Sequence, residues 1–169
     1  MSSMSDAPPT ATQNKPDPRL HIITVTGIIE RAGKYLILKR SEREIAYPGF
    51  WTVPGGKLVR HEYEHLPRTE GTEAWYDIVA RTLEKEIEEE AGLGVRDITY
   101  LTDMTFLRPD NIPVLVLSYW CRHEKGEVIC GKDIVDHAWI TPEEGVQYKI
   151  IPGILEEIKR VHRIVERKN

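Results

Sequence analysis

Five glutamates crowd one short stretch, Leu83–Leu93, which reads LEKEIEEEAGL. Three of them, Glu86, Glu89 and Glu90, stand at i, i+3 and i+4, so a helix brings their carboxylates to one side. Glu86 and Glu90 continue the line of Val79 and Leu83, which turns them toward the protein rather than into water. Gly92 is the expected C-cap, and the negative end of a helix is where acids are least favourable. Carboxylates gathered in this way repel one another unless a cation lies among them. Hard divalent ions, Mg2+ or Mn2+, take oxygen ligands of this kind. Such an ion neutralises the oxygens that shield a phosphorus atom, which water must reach to cleave a phosphoanhydride. The ordinary alternative for an acidic run taken alone is a solvated face, with Lys85 pairing Glu89 at i+4.

The elements that position these residues follow from periodicity and breakers. The β-branched run His21–Glu30 predicts a buried strand, Arg31-Ala32-Gly33 a turn, and Lys34–Arg40 its hairpin partner. Ser41–Gly49 reads as a loop, Phe50–Val53 as a short strand, and Pro54-Gly55-Gly56 as a sharp turn. Residues 57–72 are loop-like. A long helix is expected from about Glu73 to Ala91, with Thr72 as N-cap and Trp75 and Tyr76 in its first turn. Strands near Val95–Phe106 and Ile112–Cys121 join at Pro109-Asp110-Asn111, and Lys125-Gly126 reads as a further hairpin turn. A strand ending in His137–Ile140, a short helix opened by Thr141–Glu144 and an amphipathic helix over Pro152–Glu166 close the chain. Residues 1–19, rich in Ser, Pro, Thr and Ala, predict a disordered tail ahead of a single domain over 20–169.

With WTVPGGK (Trp51–Lys57) upstream, the run Lys85–Leu93 resembles the second half of the Nudix box, G-x5-E-x7-R-E-U-x-E-E-x-G-U, where U is a bulky aliphatic. Seven residues separate Asp77 from Lys85, and Glu86, Glu89, Glu90, Gly92 and Leu93 fall in register. Lys85 stands where the family has Arg, and Asp77 where it has Glu. Twenty residues lie between Gly56 and Asp77 instead of five, so about 57–76 reads as an insertion after the structural pair Gly55-Gly56; Gly71, six before Asp77, also completes the pattern formally. The resemblance implies an α/β fold, a Nudix-type α/β/α sandwich with a mixed β-sheet. It implies a Mg2+-dependent (or Mn2+-dependent) hydrolase of a nucleoside diphosphate linked to another moiety, such as a nucleoside triphosphate, a nucleotide sugar or ADP-ribose. Residue by residue it makes Glu89 and Glu90 the metal-binding pair, Glu86 a further ligand or the base, the Gly55 carbonyl a backbone ligand, and Lys85 the side chain that orients the acids. In some triphosphate-cleaving members a Gly-Lys-acid triplet places its acid six residues before a Trp. Gly131-Lys132-Asp133 ahead of Trp139 matches, which makes Asp133 the candidate distal carboxylate, with Asp136 as competitor. Pro109, sixteen residues after Leu93, resembles a marker of ADP-ribose-cleaving members.

Other residues bear on substrate and class. Arg40 and Arg43, ahead of the glycine turn, are candidates for phosphate contacts. His61, Tyr63 and His65 in the insertion are candidates to bond or stack on a nucleotide, although a loop histidine is more often merely solvated. The insertion could equally pack across a homodimer. Cys121, His123 and Cys130 fall short of the four closed ligands of structural zinc, and two cysteines make no disulfide framework. An isoprenoid-diphosphate isomerase on the same fold needs a cysteine ahead of the box, and both cysteines follow it. The net charge of −4 gives no strong case for nucleic acid, and no apolar run approaches the roughly 18 residues of a membrane span. No signal-type apolar segment opens the chain, so the expected location is the cytoplasm. The competing class is a catalytically silent Nudix-fold module that binds a ligand or a protein; degenerate members lose box acids, and here Glu86, Glu89 and Glu90 are all present.

Overall fold

The computed structural model describes residues 17–167. The tail expected over 1–19 therefore lies, except for its last three residues, outside the described residues. The elements are β1 (Ile22–Arg31), β2 (Lys34–Arg40), β3 (Trp51–Thr52), β4 (Gly55–Lys57), α1 (Ile78–Ala91), β5 (Gly94–Leu107), β6 (Pro113–Lys125), β7 (Ile134–Ile140) and α2 (Ile154–Glu166). Short 3-10 turns form at Arg60–Glu62 and Glu144–Gln147.

All seven strands join one mixed sheet in the order β3-β2-β1-β6-β5, with β4 added to β1 and β7 to β2. β1 and β6 run parallel from Ile22 beside Val114 to Glu30 beside Arg122, and the other strand pairs are antiparallel. Successive side chains of β1 and β2 point to opposite faces, and both faces are apolar, as a covered sheet requires. Val25, Ile29, Leu36 and Leu38 pack with Leu83, Ile87 and Ala91 of α1. Ile28, Tyr35 and Ile37 pack with Ile154, Ile158, Val161 and Val165 of α2. One helix therefore covers each face, the expected α/β/α sandwich. Each fully buried Leu or Ile in these stripes contributes about 2 kcal/mol, so the two stripes set how each helix lies on the sheet.

Four local expectations are corrected. Gly55 and Gly56 are not a turn but a strand, paired to Thr26 and Val25 of β1. The helix begins at Ile78, not near Glu73, because the chain before it bonds to itself. Thr69 N–H donates to Ala74 O, Tyr76 N–H to Thr69 Oγ1 and Ala74 N–H to Thr72 Oγ1, while the Trp75 indole donates to Leu66 O. These local bonds compete with helix formation, and Asp77 breaks it with a left-handed backbone at φ 58°. Thr72 thus caps a turn inside the insertion and not α1. Finally, Lys125-Gly126 is no hairpin. The chain after β6 runs across the end of α1, where the N–H groups of Ile129 and Gly131 take up the carbonyls of Ala91 and Glu90 at 2.9 and 3.0 Å, and only then pairs β7 with β2. Those bonds satisfy helix-end carbonyls that would otherwise lack partners. Gly92 ends the helix as expected, in the left-handed conformation at φ 67°.

Candidate active site

α1 presents its acids beside its apolar stripe rather than along it. Thr82, Leu83, Ile87 and Ala91 are buried, while Glu86 and Glu90 sit half-buried on the flank that faces β4. The approach is close: a Cβ on Gly56 would run into the Glu86 carboxylate, which would then have to move aside. Gly55 donates its N–H to Glu90 Oε2 at 3.0 Å, so its amide, not its carbonyl, makes the contact seen here. Burial pushes the Glu90 carboxyl up to about 7, against the pull of the Gly55 amide and with the push of Glu86. Burial also raises Glu86, opposed by the charge of Lys85.

Lys85 is the hub of the cluster. Its Nζ lies 3.1 Å from Glu62, 3.3 Å from Glu89 and 3.5 Å from Glu86. Desolvation opposes its charge, but the hydrogen bond it donates to Glu62 and the fields of the other acids outweigh it and hold the ammonium above its ordinary range. Lysine has no fork to bind one carboxylate in two places, and here it divides one point charge among three.

Glu62 had not been singled out from the sequence. It lies six residues after Gly56, so Gly56-x5-Glu62 supplies the first half of the box, and the signal was there to be read. Asp77 masked it by matching the seven-residue spacing from the helix side. In the structure Asp77 is exposed at the helix start, and Glu62 is the acid at Lys85. The extra length thus falls after Glu62: twenty-two residues separate it from Lys85 where the box has seven.

The remaining candidates divide. Arg40, at the end of β2, bonds Glu44 and the Ala46 carbonyl and is close enough to Glu90 to favour its charged form. The Asp133 side chain is exposed; its backbone carbonyl accepts from Ser41 N–H, and the neighbouring Gly131 packs on the Glu89 carbonyl, so the segment is at the site. Asp136 instead accepts the N–H of His137 at 2.8 Å. His61 is exposed, and its carbonyl bonds His65 Nδ1. Tyr63 packs edge-on against Trp75 at 5.5 Å, with Arg68 over the indole at 4.7 Å, so these rings hold the insertion together. Trp51 packs against Tyr148 at the core. Cys121 is buried, and Cys130 lies 3.7 Å from His137 rather than in a four-ligand cage.

Among the described residues, no three acids, histidines or cysteines already converge as a metal cage. The donor set nevertheless fits a hard divalent ion. Glu86 and Glu89 are oxygen donors presented around a positive charge that Lys85 now supplies, and Glu90 lies beside them against β4. Two cavities of about 340 and 470 Å3 open elsewhere, one around Glu30, Arg122 and His162, the other around Glu84, Glu88 and Lys125. Chemistry and concavity therefore disagree. The carboxylate cluster is the better guide, because in the first cavity Arg122 is paired with Glu30 and His162 with Glu166, and neither cavity is lined by Glu62, Glu86, Glu89 or Glu90.

The geometry defines a class before any relative is consulted: an acidic helix set against a Gly-Gly strand in an α/β/α sandwich. No protein-family model matches the chain. It is similar to the nucleoside triphosphatase NudI of Escherichia coli strain K12, 26% identical over 137 residues, which cover 75% of this chain and 86% of that protein. A MutT Nudix hydrolase from Burkholderia pseudomallei shares its fold at a TM-score of 0.66 and 19% identity, over 84% of this chain and 98% of that one. The Nudix domain of Shewanella oneidensis NrtR, solved with ADP-ribose, superposes at 0.66 and 16% identity, over 88% and 93% of the two chains. The chain thus has the fold of the Nudix hydrolases, and its sequence is similar to that of a curated nucleoside triphosphatase.

Proposed function

We propose that this protein is a Nudix-type pyrophosphohydrolase that uses Mg2+, or Mn2+, to cleave the diphosphate linkage of a nucleoside diphosphate bound to another moiety. The observation that carries the reading is the Lys85 ammonium held within 3.5 Å of Glu62, Glu86 and Glu89, a cation already seated among the acids of the box. A bound divalent ion supplies charge neutralisation of the phosphoryl oxygens and a more acidic water. Glu86 and Glu90, each set against a glycine of β4, would hold it with Glu89. Glu89, with 58% of its side chain exposed, is also placed to take the proton of the attacking water. Glu62, 3.1 Å from Lys85 Nζ, would give the ammonium a partner of its own beside a bound ion. Arg40 contacts a substrate phosphate, Asp133 is the candidate distal acid, and His61 and Tyr63 border the nucleotide from the insertion.

Of the nucleoside triphosphate, nucleotide sugar and ADP-ribose types, the NudI relative favours the first and the ADP-ribose bound to the NrtR domain the last. We place the protein in the cytoplasm, a reading supported by its two free thiols. Released phosphate is to be measured across a panel of these compounds with Mg2+, Mn2+ or chelator. Turnover of at least one compound, abolished by chelator, is expected. Metal binding without turnover of any of them would instead establish the silent binding module.

A further inference from the structure

Arg40 belongs to the α1 face of β2, in line with Leu36 and Leu38, and the strand is re-aimed at this residue. Lys39 pairs with Asp136 but Arg40 pairs with Ile134, so the ladder skips Val135 and bends beside the acids of α1. The base of the side chain is fixed by backbone bonds on both sides: Arg40 N–H donates to Phe50 O and Ser41 N–H to Asp133 O, each at 2.9 Å. Its guanidinium, 22% exposed, is already engaged. One terminal nitrogen makes a close ion pair with Glu44, and Nε donates to the Ala46 carbonyl at 3.0 Å. Both partners lie in the loop 41–49, so this one side chain ties the loop down. That loop leaves Ile45 fully exposed and Tyr47 half-exposed with a left-handed backbone at φ 50°.

A guanidinium nitrogen that holds a carboxylate is a donor that a phosphate oxygen would otherwise take, so the two compete for it. We propose that Glu44 is a positioning residue that stands on Arg40 in place of a substrate phosphate, so that binding exchanges the carboxylate for a phosphoryl oxygen and releases the loop. The inference rests on the reading of Arg40 as a phosphate contact. A diphosphate carries enough charge to displace one carboxylate, whereas a monophosphate competes poorly. Glu44 thus sharpens the preference for the intact linkage over its cleaved products.

The test is a double-mutant cycle read by calorimetry, with inorganic pyrophosphate and inorganic phosphate as probes and Ca2+ as the divalent ion. Wild type, Glu44→Gln, Arg40→Ala and the double variant are compared, and Glu44→Ala is run alongside to remove the carboxylate without leaving an amide. Loss of one competing charge from a half-buried pair should tighten pyrophosphate about tenfold. Phosphate should gain more than pyrophosphate, so the discrimination narrows. KM on the best substrate should fall with it, and the Glu44 effect should vanish when Arg40 is Ala. Glu44 variants that bind equally or more weakly, while Arg40→Ala binds more weakly than wild type, would overturn the proposal and leave Arg40's role intact. Binding untouched by Arg40→Ala would remove both. If the cycle holds but no compound of the panel is cleaved, the hydrolase reading fails and the exchange at Arg40 stands.

Discussion

α1 and α2 cover opposite faces of one sheet with similar apolar stripes, yet their charges follow opposite rules. α2 has Glu156 and Glu157 in its first turn and Arg163 in its last, and it pairs Lys159 with Glu156 and His162 with Glu166 at 2.7 and 3.3 Å. That arrangement complements the helix dipole at both ends. α1 has no acid in its first turn and no base in its last, and it gathers Glu86, Glu88, Glu89 and Glu90 at its negative end. α2 is arranged for stability alone. α1 accepts mutual repulsion, offset by one lysine and by the loop bonds at its C-terminus, and gains acids gathered around that lysine.

The largest effect should come from removing the acids that break the rule. Glu89→Gln or Glu90→Gln is expected to lower kcat about a thousandfold, the scale of losing one ligand charge at a metal site. In chelator the thermal midpoint of either variant should equal or exceed that of wild type, since a repulsive charge has gone. Glu156→Gln on α2, made as the matched control, should leave kcat unchanged. Near-normal turnover in either α1 variant would remove that residue from the site.

Next in size is the reverse experiment on α2. Ile158 is fully buried, and Ile158→Ala should cost about 3 kcal/mol of stability in urea melts. Its kcat below the new midpoint should stay close to wild type. A thousandfold loss of rate in this variant would mean that the two faces are coupled and the contrast between the helices is false.

A pH series sharpens the same contrast. Glu90 is raised from 4.5 to about 7 in the folded protein, so the native state binds this proton more tightly than the unfolded chain. In chelator, stability should therefore fall as pH rises from about 4.5 to about 7, and this contribution should be flat above that. A metal ion needs the carboxylate, so its affinity should rise through the same window by up to about tenfold per pH unit. Glu90→Gln should flatten both slopes. A wild-type metal affinity that does not change between pH 5 and 8 would exclude Glu90 as a titrating ligand.

The smallest effect separates the insertion from the acid at its start. Replacing residues 64–76 by a short Gly-Ser link, with Glu62 kept, should alter KM or the order of substrates while metal dependence remains. Extending the replacement back to residue 59 removes Glu62 as well, and should also weaken metal binding, because Lys85 then competes for Glu86 and Glu89. Identical kinetics in the two deletions would show that Glu62 has no part in the site.

What the chain displays locally is what local geometry controls. The acids of α1 were readable because a helix of about 3.6 residues per turn converts E-x-x-E-E into one face without help from the rest of the protein. The β-branched strands, the Gly92 stop and the sandwich were readable for the same reason: periodicity and backbone preference act over a few residues. Partner choice is different. That Lys85 meets Glu62 across twenty-two residues, and not Asp77 across seven, was decided by how the insertion folds on itself through Thr69, Thr72 and Trp75. That Gly55 and Gly56 form a strand depended on an open place beside β1, and the route of 126–133 over the end of α1 depended on carbonyls needing partners. That Glu44 holds Arg40 was decided by the path of the loop after β2. Spacing along a helix is set by covalent geometry, whereas the meeting of distant charges is set by loop closure and burial, which only the folded chain resolves.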